Sequence, residues 1–411
     1  MPDTPTAERR DPRVLVAAVS ATVLLVAGVV AAVRLSTDRH GDGGGDQRVV
    51  AGDGAKVAEV PALSAPVGPV SGPATDPCGS TPMMTLYSLS VDGGRPTGVA
   101  AGENGSVWFT DPGSSSIGHL EANGRLTRFA LAPANRPGAI VRAQNGDLWF
   151  TDPGSLFIGP PGSSSGPPTA AIGRITPAGV ISSFPLPTQT PNPRFGASEM
   201  GSYPHGITAG PDGAMWFTES AADQIGRITP DGTITEFALP SRSSMHANPT
   251  GIVTGPDGAI WFTQPLRDGL GRFDPVTQSF VELSFPPPRH NLVRGNSLTS
   301  GPGELMWFED PASNSVGRMT PAGRVNSVAF PSGADPLPVS LAPGPDGNVW
   351  FVDQRNTRIM RLAASGAVTT FPPVEGLYGV SSTQLAVGTD QAIWFAVPEA
   401  NRLGRIACSG P

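Results

Sequence analysis

Charge is sparse in this chain and one basic side chain is all but missing: Lys56 is the only lysine, and charged residues make up 15% of the sequence. With 27 basic against 34 acidic residues the formal charge is −7. A clustered Lys/Arg footprint is therefore lacking, and nucleic acid is not an expected partner. The preference for arginine reads as genomic composition rather than function. Cysteine occurs twice, at Cys78 and Cys408, and no zinc spacing, phosphate-binding loop or Ser-His-Asp order stands out. Aromatic residues are absent from residues 35 to 77, so that stretch cannot bury enough surface to fold. Gly and Pro, by contrast, number 52 and 46, which points to many turns joining short strands rather than to helices.

One long apolar run interrupts this pattern. Residues 14–33 carry no charge, and as a helix rising about 1.5 Å per residue they would span roughly the 30 Å of a bilayer's hydrocarbon. Arg9, Arg10 and Arg13 precede the run, favouring a cytoplasmic N-terminus. The expectation is a cytoplasmic segment 1–13, a transmembrane anchor 14–33, a flexible linker 34–77 and a folded region 78–411. A cleaved signal peptide is the alternative, though the run is longer than the usual h-region. Either way the folded region is expected on the extracytoplasmic side, held at the cell membrane by a single pass if the anchor is kept.

Within that region a unit repeats. It is clearest from Gly206 to Phe217, in Gly-Ile-Thr-Ala-Gly-Pro-Asp-Gly-Ala-Met-Trp-Phe, followed by Ile225-Gly226-Arg227-Ile228, Pro230-Asp231-Gly232 and Ile234 to Phe237. This reads as four short strands, with the Pro-Asp-Gly sequences supplying tight turns. A Trp-Phe pair recurs at Trp108, Trp149, Trp216, Trp261, Trp307, Trp350 and Trp394, which uses every tryptophan. A period near 44 residues with four strands per unit predicts an all-β, seven-bladed propeller. Adjacent Trp and Phe point to opposite faces of a strand, so both are buried only where each sheet is covered on both sides. The last unit lacks a fourth strand, while Thr85 to Leu89 stands before the first unit without a blade. The N-terminal strand is therefore expected to complete the last blade and close the ring, leaving the propeller monomeric. Cys78 and Cys408 flank this closure and are expected to be bonded, which suits an oxidising compartment.

Candidate chemistry lies on the loops that gather at the channel. His205, in Pro204-His205-Gly206 eleven residues before its tryptophan, occupies a slot that should look into the channel mouth. Tyr203 and Glu199 are near it, and His246 and His290 lie on the loops before the next two blades. The same slot holds Thr97, Gly138, Thr250, Asn296, Val339 and Thr383 in the other blades, so one blade alone brings a group titrating near neutrality. Three residues after the tryptophans stand Asp111, Asp152, Glu219, Gln264, Asp310, Asp353 and Val397. Such a ring of oxygens could hold a hard cation, but a carboxylate repeated at one blade position is first of all an acceptor for backbone N–H groups in a loop. The arginines of the Gly-Arg pairs, with His119 filling their position in the first blade, are read as structural.

The unit Gly206 to Pro240 resembles the repeat of the virginiamycin B (streptogramin B) lyase family, over about residues 85 to 407. The resemblance implies a seven-bladed propeller that opens a cyclic depsipeptide at its ester linkage by Mg²⁺-dependent elimination. It also implies a His in the last blade's slot, a second His in the penultimate slot, a Tyr in the first blade's slot and a Glu shortly after the last Trp-Phe. Here those slots hold Thr383, Val339 and Thr97, and Glu399 answers to the glutamate. A threonine has no comparable pKa for proton abstraction. The expected function is therefore a ligand-binding module for a small molecule, peptide or cell-wall component, with Thr97, Thr250, Asn296, Thr383, His246 and His290 facing the ligand. The alternative is a Mg²⁺-dependent carbon–oxygen lyase with a relocated His205, using Tyr203, Glu219 and Glu399.

Overall fold

The structure is a computed structural model. It describes residues 56–59, 78, 83–89, 93–133, 135–154, 169–188, 202–240, 246–284, 297–310, 315–330, 336–363, 365–377 and 384–408. The expected anchor 14–33, and all of the expected linker except residues 56–59, lie outside them. Among the described residues there is no α-helix, and no helix long and apolar enough to cross a membrane.

Seven antiparallel sheets follow one another along the chain. Blade 3 is typical: Pro204–Ala209, Met215–Glu219, Gln224–Ile228 and Ile234–Ala238 pair in sequence order. The first strands of successive blades touch in a closed circle, and the seventh, Leu385–Val387, meets that of blade 1, Val99–Ala101. Blade 7 takes its outer strand from the N-terminal side: Met84–Ser88 pairs antiparallel with Arg402–Ile406, Met84 opposite Ile406 and Ser88 opposite Arg402. Cys78 and Cys408 are joined by a disulfide. One element is unforeseen. Lys56–Glu59, inside the segment read as linker, adds a fifth strand parallel to the outer strand of blade 4, Ser279–Ser284.

The Trp-Phe pair builds the ring. Each tryptophan shares a buried cluster with the phenylalanine of the next blade: Trp108 with Phe150, Trp149 with Phe217, Trp216 with Phe262, Trp261 with Phe308, Trp307 with Phe351 and Trp350 with Phe395. Trp394 packs with Phe109 and so closes the circle. In six blades the phenylalanine lies over a glycine of the third strand, and a Cβ on Gly118, Gly173, Gly226, Gly271, Gly317 or Gly404 would come within 2.0–2.3 Å of the ring; in blade 6 Phe351 faces Met360 instead. That explains why glycine precedes arginine in the repeat. The arginine guanidinium stands over the indole, 5.5 Å from the Trp149 centroid for Arg174 and 5.9 Å from Trp261 for Arg272. In blade 1, His119 stacks on Trp108 instead, with centroids 4.1 Å apart and planes 9° from parallel. The Asp of each Pro-Asp-Gly turn between first and second strands receives the indole N–H and the arginine: Asp257 accepts from Trp261 Nε1 at 3.0 Å and from Arg272 Nε at 2.8 Å.

Candidate functional site

Nine residues before every tryptophan stands an aliphatic side chain: Val99, Ile140, Ile207, Ile252, Leu298, Leu341 and Leu385. All seven line a central cavity of about 600 Å³. The cavity is apolar at this girdle, and its mouth is edged by inter-blade residues such as Arg136 and Tyr203 and by Pro112 and Pro153 from the loops between second and third strands.

A threonine two residues after the tryptophan fixes the slot in blades 1 to 4. Thr218 Oγ1 accepts from the N–H of Gly206 at 2.9 Å and donates across the blade boundary to the Thr250 carbonyl at 2.8 Å. Thr151 does the same between blades 2 and 3, accepting from Ala139 N–H at 3.0 Å and donating to the His205 carbonyl at 3.1 Å. Thr110 joins Gly98 N–H at 2.8 Å to the Gly138 carbonyl at 2.6 Å. In blades 5, 6 and 7 the position holds Glu309, Val352 and Ala396. Glu309 accepts from the N–H of Ser340 at 2.8 Å, and the Thr97 carbonyl is served by the N–H of Gln384 at 3.1 Å. Backbone placement at the mouth of blades 3 and 4 is thus set by neighbouring blades, because buried N–H and C=O groups must be paired.

His205 points into this setting. Burial lowers its imidazole to about 4, against a partial offset from a hydrogen bond with the Thr250 backbone. The residue as a whole is half-buried and lines the cavity, and its imidazole is neutral at pH 7. A neutral ring that donates one N–H to a carbonyl keeps a lone pair on its other nitrogen. Tyr203, its ring centroid 6.4 Å from that of His205, is held at φ 56°, a conformation uncommon for a bulky residue. Burial raises the Tyr203 phenol, while the Arg136 charge opposes that rise. Tyr203, His205 and Arg136 therefore converge at the mouth, with Thr97 and Thr250 in the wall.

The other sequence-derived candidates are elsewhere. Glu219 is fully buried within blade 3 and does not line the cavity; burial, then repulsion from Glu236, raises its carboxyl to about 8. Glu399 pairs with Arg95 in an exposed contact at the rim. His246 Nδ1 meets Asp223 Oδ2 at 2.7 Å, also off the cavity. Asn296, Thr383, His290 and Glu199 lie outside the described residues. Sequence reasoning overlooked Arg136 and Gln384, whose Oε1 accepts from Ile140 N–H at 3.1 Å, and the aliphatic girdle. The recurrence nine residues before each tryptophan was the available signal for the girdle.

Comparison with known proteins fits this architecture. The model of the virginiamycin B lyase family matches residues 78–163, 168–289 and 246–411. The chain belongs to the virginiamycin B lyase family. The virginiamycin B lyase of Nocardia farcinica is 30% identical over 183 residues, which is 39% of this chain and 61% of that relative, so the match falls short of two thirds of the relative's length. Among solved structures, a catalytically inactive variant of virginiamycin B lyase from Staphylococcus aureus with quinupristin superposes with a TM-score of 0.64 at 27% identity, over 80% of this chain and 99% of that one. A streptogramin B lyase structure gives the same TM-score at 26% identity, over 79% and 97%. In this family member Val339 and Thr97 occupy two of the slots where the family resemblance implies His and Tyr, and Thr383 a third.

The family also implies Mg²⁺. Among the described residues lining the cavity there is no carboxylate, and no group of three or more His, Cys, Asp or Glu could hold a metal ion. Neutral hydroxyls, an imidazole and a guanidinium are a poor donor set for a hard dication, so the described residues of the mouth do not fit that ion.

Proposed function

We propose that this propeller is a binding module that takes an amphipathic small molecule into its channel mouth, with an apolar part in the girdle and a polar group against Tyr203, Arg136 and His205. The observation that carries this reading is the cavity itself: about 600 Å³, apolar in its throat, with a few polar groups converging at one end, the usual make-up of a small-molecule site. Val339 and Thr97, with no side chain able to move a proton at neutral pH, also favour binding over turnover. The S. aureus relative's complex with quinupristin makes a streptogramin of that kind the first ligand to try. The test is calorimetric titration of the full chain with quinupristin, followed by mass spectrometry of the recovered ligand. Saturable binding with intact ligand is the expected result, and a linearised product would overturn it.

A second reading rests on His205, a neutral base at the cavity mouth. In it, the imidazole removes a proton next to a carbonyl so that a carbon–oxygen bond breaks. Turnover by the full chain with Mg²⁺ that disappears in His205→Ala would establish it. As to location, the charge-free run 14–33 and the Cys78–Cys408 bond support a membrane-tethered propeller on the extracytoplasmic side, since such bonds persist where the surroundings oxidise. Protease treatment of intact cells should then remove the propeller while leaving cytoplasmic markers whole.

A further inference from the structure

The blades solve one electrostatic problem repeatedly, and blade 3 is the exception. In blades 1, 2, 3, 5 and 6 a carboxylate stands three residues after the tryptophan and is buried, so it needs donors or a counter-charge. In blade 1, Asp111 accepts from Arg95 N–H at 2.8 Å and pairs with Arg128 at 2.7 Å. Asp152 accepts from the backbone N–H groups of Arg136 and Gly154. Asp310 takes the Ser315 hydroxyl at 2.9 Å, and Asp353 takes Asn356 at 2.7 Å and Arg358 at 3.1 Å.

Glu219 has none of this. It is 0% exposed, and neither carboxylate oxygen makes a hydrogen bond. Sheet register sharpens the contrast. Arg128 stands opposite Gly118, which stands opposite Phe109; at the same place in blade 3, Glu236 stands opposite Gly226, which stands opposite Phe217. Where blade 1 sets an arginine against its acid, blade 3 sets a second acid. Two neighbours of Glu219 bring further oxygens. Gln224, its direct cross-strand neighbour, leaves Oε1 buried without a partner, and so does the fully buried Ser202 hydroxyl, which lies close enough to steady the carboxylate but outside hydrogen-bond geometry. Glu236 is held in place by the backbone N–H of Thr188 at 3.0 Å and by the Thr188 hydroxyl.

We propose that blade 3 binds one Ca²⁺ between Glu219 and Glu236, with Gln224 Oε1 and Ser202 Oγ completing a largely protein-derived oxygen shell, the ion doing for this blade what Arg128 does for blade 1. The choice of ion follows from the donors. Ca²⁺ accepts six to eight oxygens in loose geometry, whereas Mg²⁺ keeps several of its waters and demands a near-ideal octahedron, which a buried shell of side-chain oxygens does not offer. The site is separate from the channel mouth, and its existence does not depend on what the mouth binds.

The test uses the full chain freed of metal by a chelator and then titrated with Ca²⁺ or Mg²⁺, reading bound metal by equilibrium dialysis and the melting temperature in parallel. Retention of one Ca²⁺ per chain, with a rise in melting temperature and at least tenfold weaker Mg²⁺ binding, is the expected result. Glu219→Gln should weaken Ca²⁺ at least tenfold. Glu236→Arg, which copies the blade 1 pair, should abolish the Ca²⁺ response while melting no lower than the metal-free wild type. Should the wild type retain no Ca²⁺ at millimolar concentration, should Glu219→Gln bind it equally well, or should Mg²⁺ bind more tightly, the assignment falls.

Discussion

Breaking the Cys78–Cys408 bond tests how the ring is closed. The bond spans 330 residues of sequence, and restricting an unfolded loop of that size is worth roughly 6 kcal/mol in the chain-entropy model, of which measured cases deliver no more than about 5. Without it, blade 7 is closed by five residue pairs between Met84–Ser88 and Arg402–Ile406 and by side-chain packing such as Tyr87 stacked on Trp394, with centroids 5.5 Å apart. Both cysteines are buried, at 4% and 0% exposure, so replacing them would also remove packing. Reduction of the wild type is the cleaner perturbation, because the sulfur atoms stay. Guanidinium unfolding with and without reductant should show a loss of about 3–5 kcal/mol. Native hydrogen exchange should show faster exchange in Met84–Ser88 than in the inner strands of blades 2 to 4. Coincident unfolding curves, with unchanged exchange in that strand, would refute the idea that the covalent clasp guards the closure.

Other outcomes follow from particular contacts. His205 is neutral in the fold down to about pH 4, against 6.5 when unfolded, so the unfolded chain binds the extra proton between those values and stability falls as pH drops through the window. The ceiling is about 3 kcal/mol, reduced to ~1–2 by channel solvent, and a chemical-denaturation series from pH 7 to 4 should be flatter for His205→Asn than for wild type. Thr218→Val leaves Gly206 N–H and the Thr250 carbonyl without their shared hydroxyl and should cost about 2–3 kcal/mol in the same assay. Gly226→Ala would bring a Cβ to 2.1 Å from the Phe217 ring and should cost about 1–3 kcal/mol, with a loss of near-ultraviolet dichroism at unchanged strand content.

Seven blades and their closure were legible because the signals are periodic and local. One Trp-Phe pair per unit, tight turns at fixed offsets, and a spare strand before the first unit that matches the one missing from the last left few alternatives. The candidate site was less legible, because which oxygen meets which charge depends on neighbours distant in sequence. Glu219 and Glu399 both look like site acids in the sequence. Yet one is sealed inside blade 3 and the other meets Arg95, 304 residues away, at the rim. His205 could be placed because its offset from Trp216 is a repeat property. Arg136 could not, since it sits on a connection that differs from blade to blade. The Lys56–Glu59 strand was equally hidden, for its partner Val281–Ser284 is more than 200 residues away and nothing in a segment without aromatics signals that edge.

The threonine latches make the ring unequal around its circumference. From blade 1 to blade 4 a side-chain hydroxyl sews each sheet to the next, while Val352 and Ala396 offer nothing with which to stitch. Strain imposed on the channel by a bulky guest is therefore taken up first on the side of blades 6 and 7. There the ring relies on the N–H of Gln384 and the hydroxyl of Thr389 to hold blade 7 to blade 1, and on the sulfur bridge to hold the outer strand of blade 7.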